Sequence, residues 1–424
     1  MVEKLSGVYT TSDIGGFTPD QAVSRGAIGV VGHMISGTAV SGSDKFSSAN
    51  SYGTVYTFTS IVEAKAILGD SRVADSTEST WVNGTYGEAN SGVAGYDGDS
   101  NLIRALELIY LGNSRAKCYV AVLSGAGVDA LTTPAGSAEA LAELMKRDDI
   151  EFIHGAGLEF NSTFQSHALA SDDDANQAER IYVGGVSLNE AYSGSTDENS
   201  QDAFDVSGFV ALTEDTGRSV CFIGNANHQF QTGWASGSSI EPTKEIGGNW
   251  ISAYFVGYLS SLAENISPLN KGIGGFLPVY NGKPRIASST ELEINYDNSM
   301  ISIRYSASNS PAYYFEKAMT FTPKSSAWGR ITRRRIIDRV IKDVRVILRA
   351  EIGRPNIGSR RRSINDRVRR KLLELLDAGL LEGTVSSTVF VQEGDSANGV
   401  LRSNVNVTPV GEIEEVRLTV GVIL

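Results

Sequence analysis

The chain has 2 cysteines and 4 histidines among 424 residues. Two thiols cannot staple a chain of this length. Cys118 and Cys221 each sit in an apolar run, CYVAVL and SVCFIG, and read as buried thiols in a reducing compartment. None of His33, His154, His167 and His228 has another His or a Cys at metal-ligand spacing. No run of about 18 apolar residues occurs, so no helix is expected to enter a membrane. Residues 1–7 lack the basic region and apolar stretch of a secretory signal. Phosphate-cradling and nucleophile-elbow patterns are also missing. GVVG (29–32), GAG (155–157) and KGIGGF (271–276) read as turns and close packing. Asp97, Asp99 and Asn101 start like a calcium loop, but Leu102 stands where glycine is needed and Leu108 where an acid is needed. The expectation is a protein without catalytic residues, metal or cofactor.

What is present is globular: 41% apolar and 20% charged residues. The length suits roughly two to four domains. Strand patterns at 118–123, 152–157, 180–188 and 219–224 alternate with helical patterns at 137–147, 161–171, 203–212 and 250–263. That alternation predicts a wound α/β domain with parallel strands. A buried strand is expected at 27–32 and helices at 60–68 and 101–111, with polar, Gly-rich loops at 36–53 and 69–98. Residues 288–322 read as paired strands, followed by helices at about 331–350 and from Ser363, the expected cap, to Gly379. The tail is β, with strands at 388–392, 404–410 and 417–424.

Charge is unevenly spread. Residues 329–371 hold 16 Lys/Arg against 4 Asp/Glu, a local +12, while the whole chain carries −12 and the remainder therefore −24. A basic segment on an acidic body calls for an acidic partner: nucleic acid, an acidic protein, or the body of a neighbouring subunit. Arg335, Arg339, Lys342, Arg345 and Arg349 step by four, three, three and four, which places them on one helix face. A second cluster comprises Arg360, Arg361, Arg362, Arg367, Arg369, Arg370 and Lys371. Nucleic-acid binding would use such charge on phosphates, yet no aromatic residue lies between Arg330 and Val389 and no groove-reading motif is present. An α/β enzyme with a basic substrate site is the other rival; the missing motifs stand against it.

The order of features in the C-terminal third resembles the shared domain of phage tail sheath proteins and related contractile injection systems. WGRITRRRIIDRVIKDVRVIL (328–348) is followed by GRPNIG (353–358), a second helix, DAGLLEG (377–383) and VNVTPVGEIEEVRLTV (405–420). ISAYFVGYLSSLAENISPLNKGIGG (251–275), STELEINYDNSMISIRY (289–305) and GVYTT (7–11) resemble further family segments, with Ser6 where proline is usual. The resemblance implies an α+β multidomain fold: a sheath domain of β-sheet plus helices, built from N- and C-terminal parts, with a wound α/β domain inserted. Its expected divisions are an arm at 1–24, a mixed region at 25–116, the α/β domain at 117–287, the sheath domain at 288–412 and an arm at 413–424. The implied function is structural. Copies polymerise helically around an acidic tail tube, between baseplate and terminator, and contract to drive the tube through an envelope. The implied place is a virion tail or an injection particle assembled in the host cytoplasm.

Two site expectations follow. One basic helix meets the tube: Arg335, Arg339, Lys342, Arg345 and Arg349, whose stripe is the more regular, or Arg360, Arg361, Arg362, Arg367 and Arg370. The arms make inter-subunit strands, through Gly7, Val8 and Tyr9 at one end and Ile413, Val416, Leu418, Val420, Val422 and Leu424 at the other. Leu418, Val420, Val422 and Leu424 alternate along RLTVGVIL, and burying four such side chains contributes on the order of 6–10 kcal/mol before ordering costs.

Overall fold

The computed structural model describes residues 26–34, 55–68, 101–124, 137–171, 178–186, 215–236, 239–269, 271–277, 296–305, 313–323, 326–390 and 401–411. These contain a nine-stranded sheet in the order β2-β3-β1-β4-β5-β6-β11-β12-β9. Its strands are β1 (Ala27–Met34), β2 (Val55–Phe58), β3 (Cys118–Ser124), β4 (Ile150–Gly155), β5 (Ile181–Gly185), β6 (Ser219–Ile223), β9 (Gly272–Ile273), β11 (Ile301–Tyr305) and β12 (Tyr313–Phe315). From β3 to β11 every neighbour is parallel, and the edges are antiparallel. The expected wound layout is therefore present, but it draws strands from both sides of 117–287. β1 lies at its centre and β11 at its flank. The chain segments predicted as strands over 291–295 and 417–424 and as a helix at 203–212 lie outside the described residues, and Tyr296, the last residue of the first of these expected strands, is helical.

Period-two alternation explains why the sheet is buried on both faces. Ile28 and Val30 of β1, with Cys118, Val120 and Val122 of β3, join one core. Ala27, Val31, Tyr119, Ala121 and Leu123 join the other. The first face is covered by α1 (Ile61–Leu68), α2 (Asn101–Gly112) and α5 (Gly248–Ser261). The second is covered by α3 (Ser137–Met145) and α4 (Ser162–Ala170), the latter capped by Asn161, whose side chain accepts from Phe164 N at 3.2 Å. Cys118 and Cys221 are both free and buried. They lie four strand positions apart, roughly 19 Å, so they cannot pair.

Between β6 and α5 the chain makes a hairpin not among the expected elements: β7 (Asn225–Ser236) and β8 (Ser239–Gly247), extended by β10 (Phe276–Leu277). The hairpin delivers the first turn of α5 against the carboxyl ends of the parallel strands. Doubly wound sheets commonly bind ligands there, at the point where strand order reverses. Here the reversal falls between β1 and β4, and the space beyond β4 is filled. A Cβ on Gly157, at φ +66, would stand 2.6 Å from the Trp250 ring. Asn249 Nδ2 also donates to Gly157 O at 3.0 Å.

The C-terminal unit is separate in packing. It comprises α6 (Ile331–Arg349), α7 (Gly358–Asp377), β13 (Leu381–Phe390) and β14 (Arg402–Pro409). Its core is Ile336, Val340, Val344, Ile364, Val368, Leu372, Leu375, Leu381 and Val385. Ile331, one turn earlier on α6, belongs to the core of the wound sheet, so α6 is shared by both bodies. α7 starts five residues before the expected cap: Ile357 is the N-cap, no side chain caps the helix, and Ser363 lies inside it. Gly379, at φ +71, ends it as expected. Residues 316–322 are not a strand.

Helices α2 and α5 touch backbone to backbone. A Cβ on Gly257 would stand 2.1 Å from the Ile109 carbonyl oxygen, and backbone there has no slack. Gly257→Ala is expected to lower stability by about 1–3 kcal/mol, despite alanine's higher helix propensity. Denaturant unfolding checks this; an unchanged midpoint would mean that the helices separate freely.

Candidate functional site

The basic stripe of α6 turns mostly inward. Arg335 is 2% exposed. Its Nε donates to Glu151 Oε1 at 2.8 Å, and its two Nη donate to Leu262 O at 3.1 Å and Ala263 O at 3.4 Å. Its guanidinium also lies 5.4 Å from the Phe152 ring centroid. Arg345 forks onto the carboxylate of Glu179, with Nη1 to Oε2 at 2.9 Å and Nη2 on Oε1. Burial works against the charge of Glu179, but the Arg345 hydrogen bonds hold its carboxyl below the usual range, and the charge of Lys342 adds to this. Arg339 donates to Asp343 Oδ2 at 3.0 Å and approaches Glu264 at 3.5 Å, and its side chain is 45% exposed. Lys342 and Arg345 are half-buried, and Arg339 and Arg349 are exposed.

Three of the five cations of the stripe expected to face a tube, Arg335, Arg339 and Arg345, have acidic partners within the chain itself. Glu151 on β4, Glu179 before β5 and Glu264 after α5 occupy the ground under α6. The acidic partner of the first basic helix is the chain's own body. A second fastening lies beside it. Asp338 holds Arg218 Nη1 at 2.6 Å and Arg334 Nη2 at 2.9 Å, all three buried. Arg334 stacks over Trp328 at 4.6 Å and donates to Thr216 O at 3.1 Å.

The second cluster divides. Glu351 is a hub: Arg360 Nε lies at 2.6 Å, Arg367 Nη2 at 2.5 Å and Arg354 Nη1 at 3.6 Å. Hydrogen bonds from Arg360 and Arg367 hold its carboxyl down to about 2. Arg361 donates to Asn356 Oδ1 at 3.3 Å, and Lys371 lies between Glu374 at 3.3 Å and Asp343 at 3.6 Å. Arg362, Arg369 and Arg370 are exposed and form no ion pair among the described residues. They flank Leu373, itself 41% exposed, on the face of α7 away from its core. The hub was missed in the sequence because a single acid flanked by arginines at +3, +9 and +16 has no motif. Glu151 was missed because it lies 184 residues from Arg335.

The hairpin β13–β14 pairs from Leu381↔Pro409 to Phe390↔Arg402, with a bulge between Glu382 and Ser386. It packs on α7 through Leu381 and Val385. Neither outer edge has a strand partner among the described residues. Two strands alone are marginal, and open edges invite another strand. The expected arm residues Gly7, Val8, Tyr9, Ile413, Val416, Leu418, Val420, Val422 and Leu424 lie outside the described residues.

Chemically the site holds charges rather than reacting groups. Burial lowers His154 to about 4, and burial with the nearby Arg180 lowers His167 to about 3. Burial also pushes Cys118 up to about 12, so that thiol stays protonated and inert. No three His, Cys, Asp or Glu side chains come together as a metal site among the described residues.

Two expectations test this assignment. Arg335→Ala leaves Glu151, whose side chain is 14% exposed, without its partner and is expected to lower stability by about 2–4 kcal/mol. Arg369→Ala is expected to stay within about 0.5 kcal/mol. Equal losses in chemical denaturation would contradict the inward placement of Arg335. For Glu351, a carboxyl held below its ordinary 4.5 contributes stability that is fully present above that value and is lost as pH falls through about 2. The melting-temperature gap between wild type and Glu351→Gln should be full at pH 6 and closed near pH 2. A gap that persists at pH 2 would contradict the hub.

Comparison with known proteins follows this geometry. Residues 323–423 match the family described as phage tail sheath C-terminal domain. No curated relative matches the sequence. The whole chain superposes on a chain of the anti-feeding prophage baseplate, 6-fold symmetrised, with TM-score 0.64, 14% identity and 100% of both chains covered. It also superposes on the anti-feeding prophage helical sheath in the contracted state, with TM-score 0.61, 14% identity and 99% of each chain covered. A third likeness is the sheath tail protein of Desulfitobacterium hafniense, with TM-score 0.54, 10% identity and 96% and 98% covered. The chain thus carries a phage tail sheath C-terminal domain at 323–423, on the fold of the sheath proteins of contractile injection systems.

Proposed function

We propose that the protein is the structural subunit of a contractile sheath, polymerising helically around a tube and contracting to drive that tube through a target envelope. The observation that carries this reading is the hairpin β13–β14. It lies within the family-matched residues, neither of its outer edges has a strand partner among the described residues, and the strand-patterned segment 413–424 follows it in the sequence. Strand addition from neighbouring copies would complete it and give an open, heterologous lattice. Contraction then draws on energy stored in that lattice, so the subunit needs no catalytic group, nucleotide or metal. The partners are further copies, a tube, and the baseplate and terminator at the ends. The place is a virion tail or an injection particle put together in the host cytoplasm.

The tube-facing surface is the outer face of α7, with Arg362, Arg369 and Arg370, rather than α6. Charges exposed on a helix face attract an acidic surface over about 8–10 Å at ordinary salt, which holds register and releases under load. Nucleic-acid binding is the weaker reading, because Arg335, Arg345, Arg360 and Arg367, which would have reached phosphates, are tied to Glu151, Glu179 and Glu351.

Negative-stain microscopy with a truncation tests the reading. Wild-type protein is expected to form striated cylinders. Deletion of 413–424 should leave a soluble protein with an unchanged melting transition and no cylinders. If the truncated chain unfolds, the segment belongs to its own core; if it still polymerises, the lattice does not depend on that arm.

A further inference from the structure

The charges of α7 run the wrong way for a helix. Its first turn carries Arg360 and Arg361 with no acid, and its last turn has Asp377 and no base. A helix macrodipole favours the opposite arrangement. Here side chains and dipole reinforce each other, and the unit becomes polar along its length of roughly 30 Å.

At one end lies the elbow between α6 and α7. It exposes Ile352 (80%), Ile357 (55%) and the neighbouring Val346 (67%). A groove of about 830 Å³ opens beside it, floored by Leu348, Ile364 and Val405 and rimmed by Arg349, Arg354 and Arg361. Glu351 is the one acid on that rim. The Ser403 hydroxyl, which also lines the groove, is buried without a hydrogen-bond partner among the described residues. At the other end, Glu374 (57% exposed), Asp377 and Glu382 are at the surface. The chain leaves β14 there, since Val410 N donates to Leu380 O at 3.1 Å. Glu412, Glu414 and Glu415 follow in the sequence.

We propose that the basic, apolar-tipped elbow of one copy docks on the acidic 374–382 end of a second copy, head to tail. This rests on the polymer reading and deepens it by naming a contact that does not use the arms. The argument for a second copy is charge complementarity between two ends of the same rigid unit. Such a contact is heterologous, so it propagates instead of closing. It also accounts for side-chain charges that α7 alone would select against.

The test uses two full-length variants. E374K/D377K reverses the charge of residues 374–382 from −3 to +1, and R354E/R361E reverses two of the elbow's arginines. Both chains stay net acidic, so general attraction cannot bring them together. Folding is checked by melting. Association is read by sedimentation velocity, and cylinder formation by wild type is read separately by microscopy. Each variant alone is expected to self-associate about tenfold more weakly than wild type, while an equimolar mixture recovers association. If either variant self-associates like wild type, or the folded mixture does not recover, the docking is wrong even where wild type forms cylinders. If the mixture associates but wild type forms no cylinders, the contact stands and the sheath reading fails.

Discussion

The ion pairs under α6 are the constraint on which the rest depends. Arg335 with Glu151, Arg345 with Glu179, and Asp338 with Arg218 and Arg334 fasten one helix to a wound sheet through side chains that are mostly buried. Buried charges hold a geometry strongly because separating them strands each in a medium that solvates it poorly. α6 therefore belongs to the sheet body as firmly as to the C-terminal unit, and its apolar residues confirm this by entering both cores. α7 and the hairpin join the sheet body chiefly through this helix, with a further hydrogen bond from Asn265 Nδ2 to Gly379 O at 3.1 Å.

Much of the fold was legible because its signals are local. The parallel strands announce themselves as short β-branched runs at a spacing set by the intervening helices, and α6 by an apolar repeat of three and four. The hairpin β7–β8 was legible only at its join, where Gly237-Ser238 separates the two strands, because ANHQFQTGW alternates weakly. The start of α7 was misplaced because Ser363 offers a cap and three arginines discourage one earlier. The structure prefers Ile357 because Glu351 gathers Arg360 and Arg367, a contact outside any local window.

The candidate site was legible as a quantity and not as a placement. An excess of +12 on residues 329–371 was correct and demanded an acidic partner. Which partner depended on Glu151 and Glu179, far away in the sequence. A regular stripe is what a helix needs to meet any acidic surface, and the chain's own body supplied one first. The less regular second cluster, with Arg362, Arg369 and Arg370 left over, is the one that faces outward. At the carboxyl ends of the parallel strands, Trp250 and Asn249 of α5 pack on Gly157 beyond β4.

A cryo-electron reconstruction of the assembled protein around its tube tests the central claim most directly. The account predicts that every subunit keeps α6 fastened to its own sheet, with Arg335 on Glu151, while α7 turns Arg362, Arg369 and Arg370 toward the bore. A lattice in which α6 leaves its own body, or in which α7 lies on the outer surface, would contradict it.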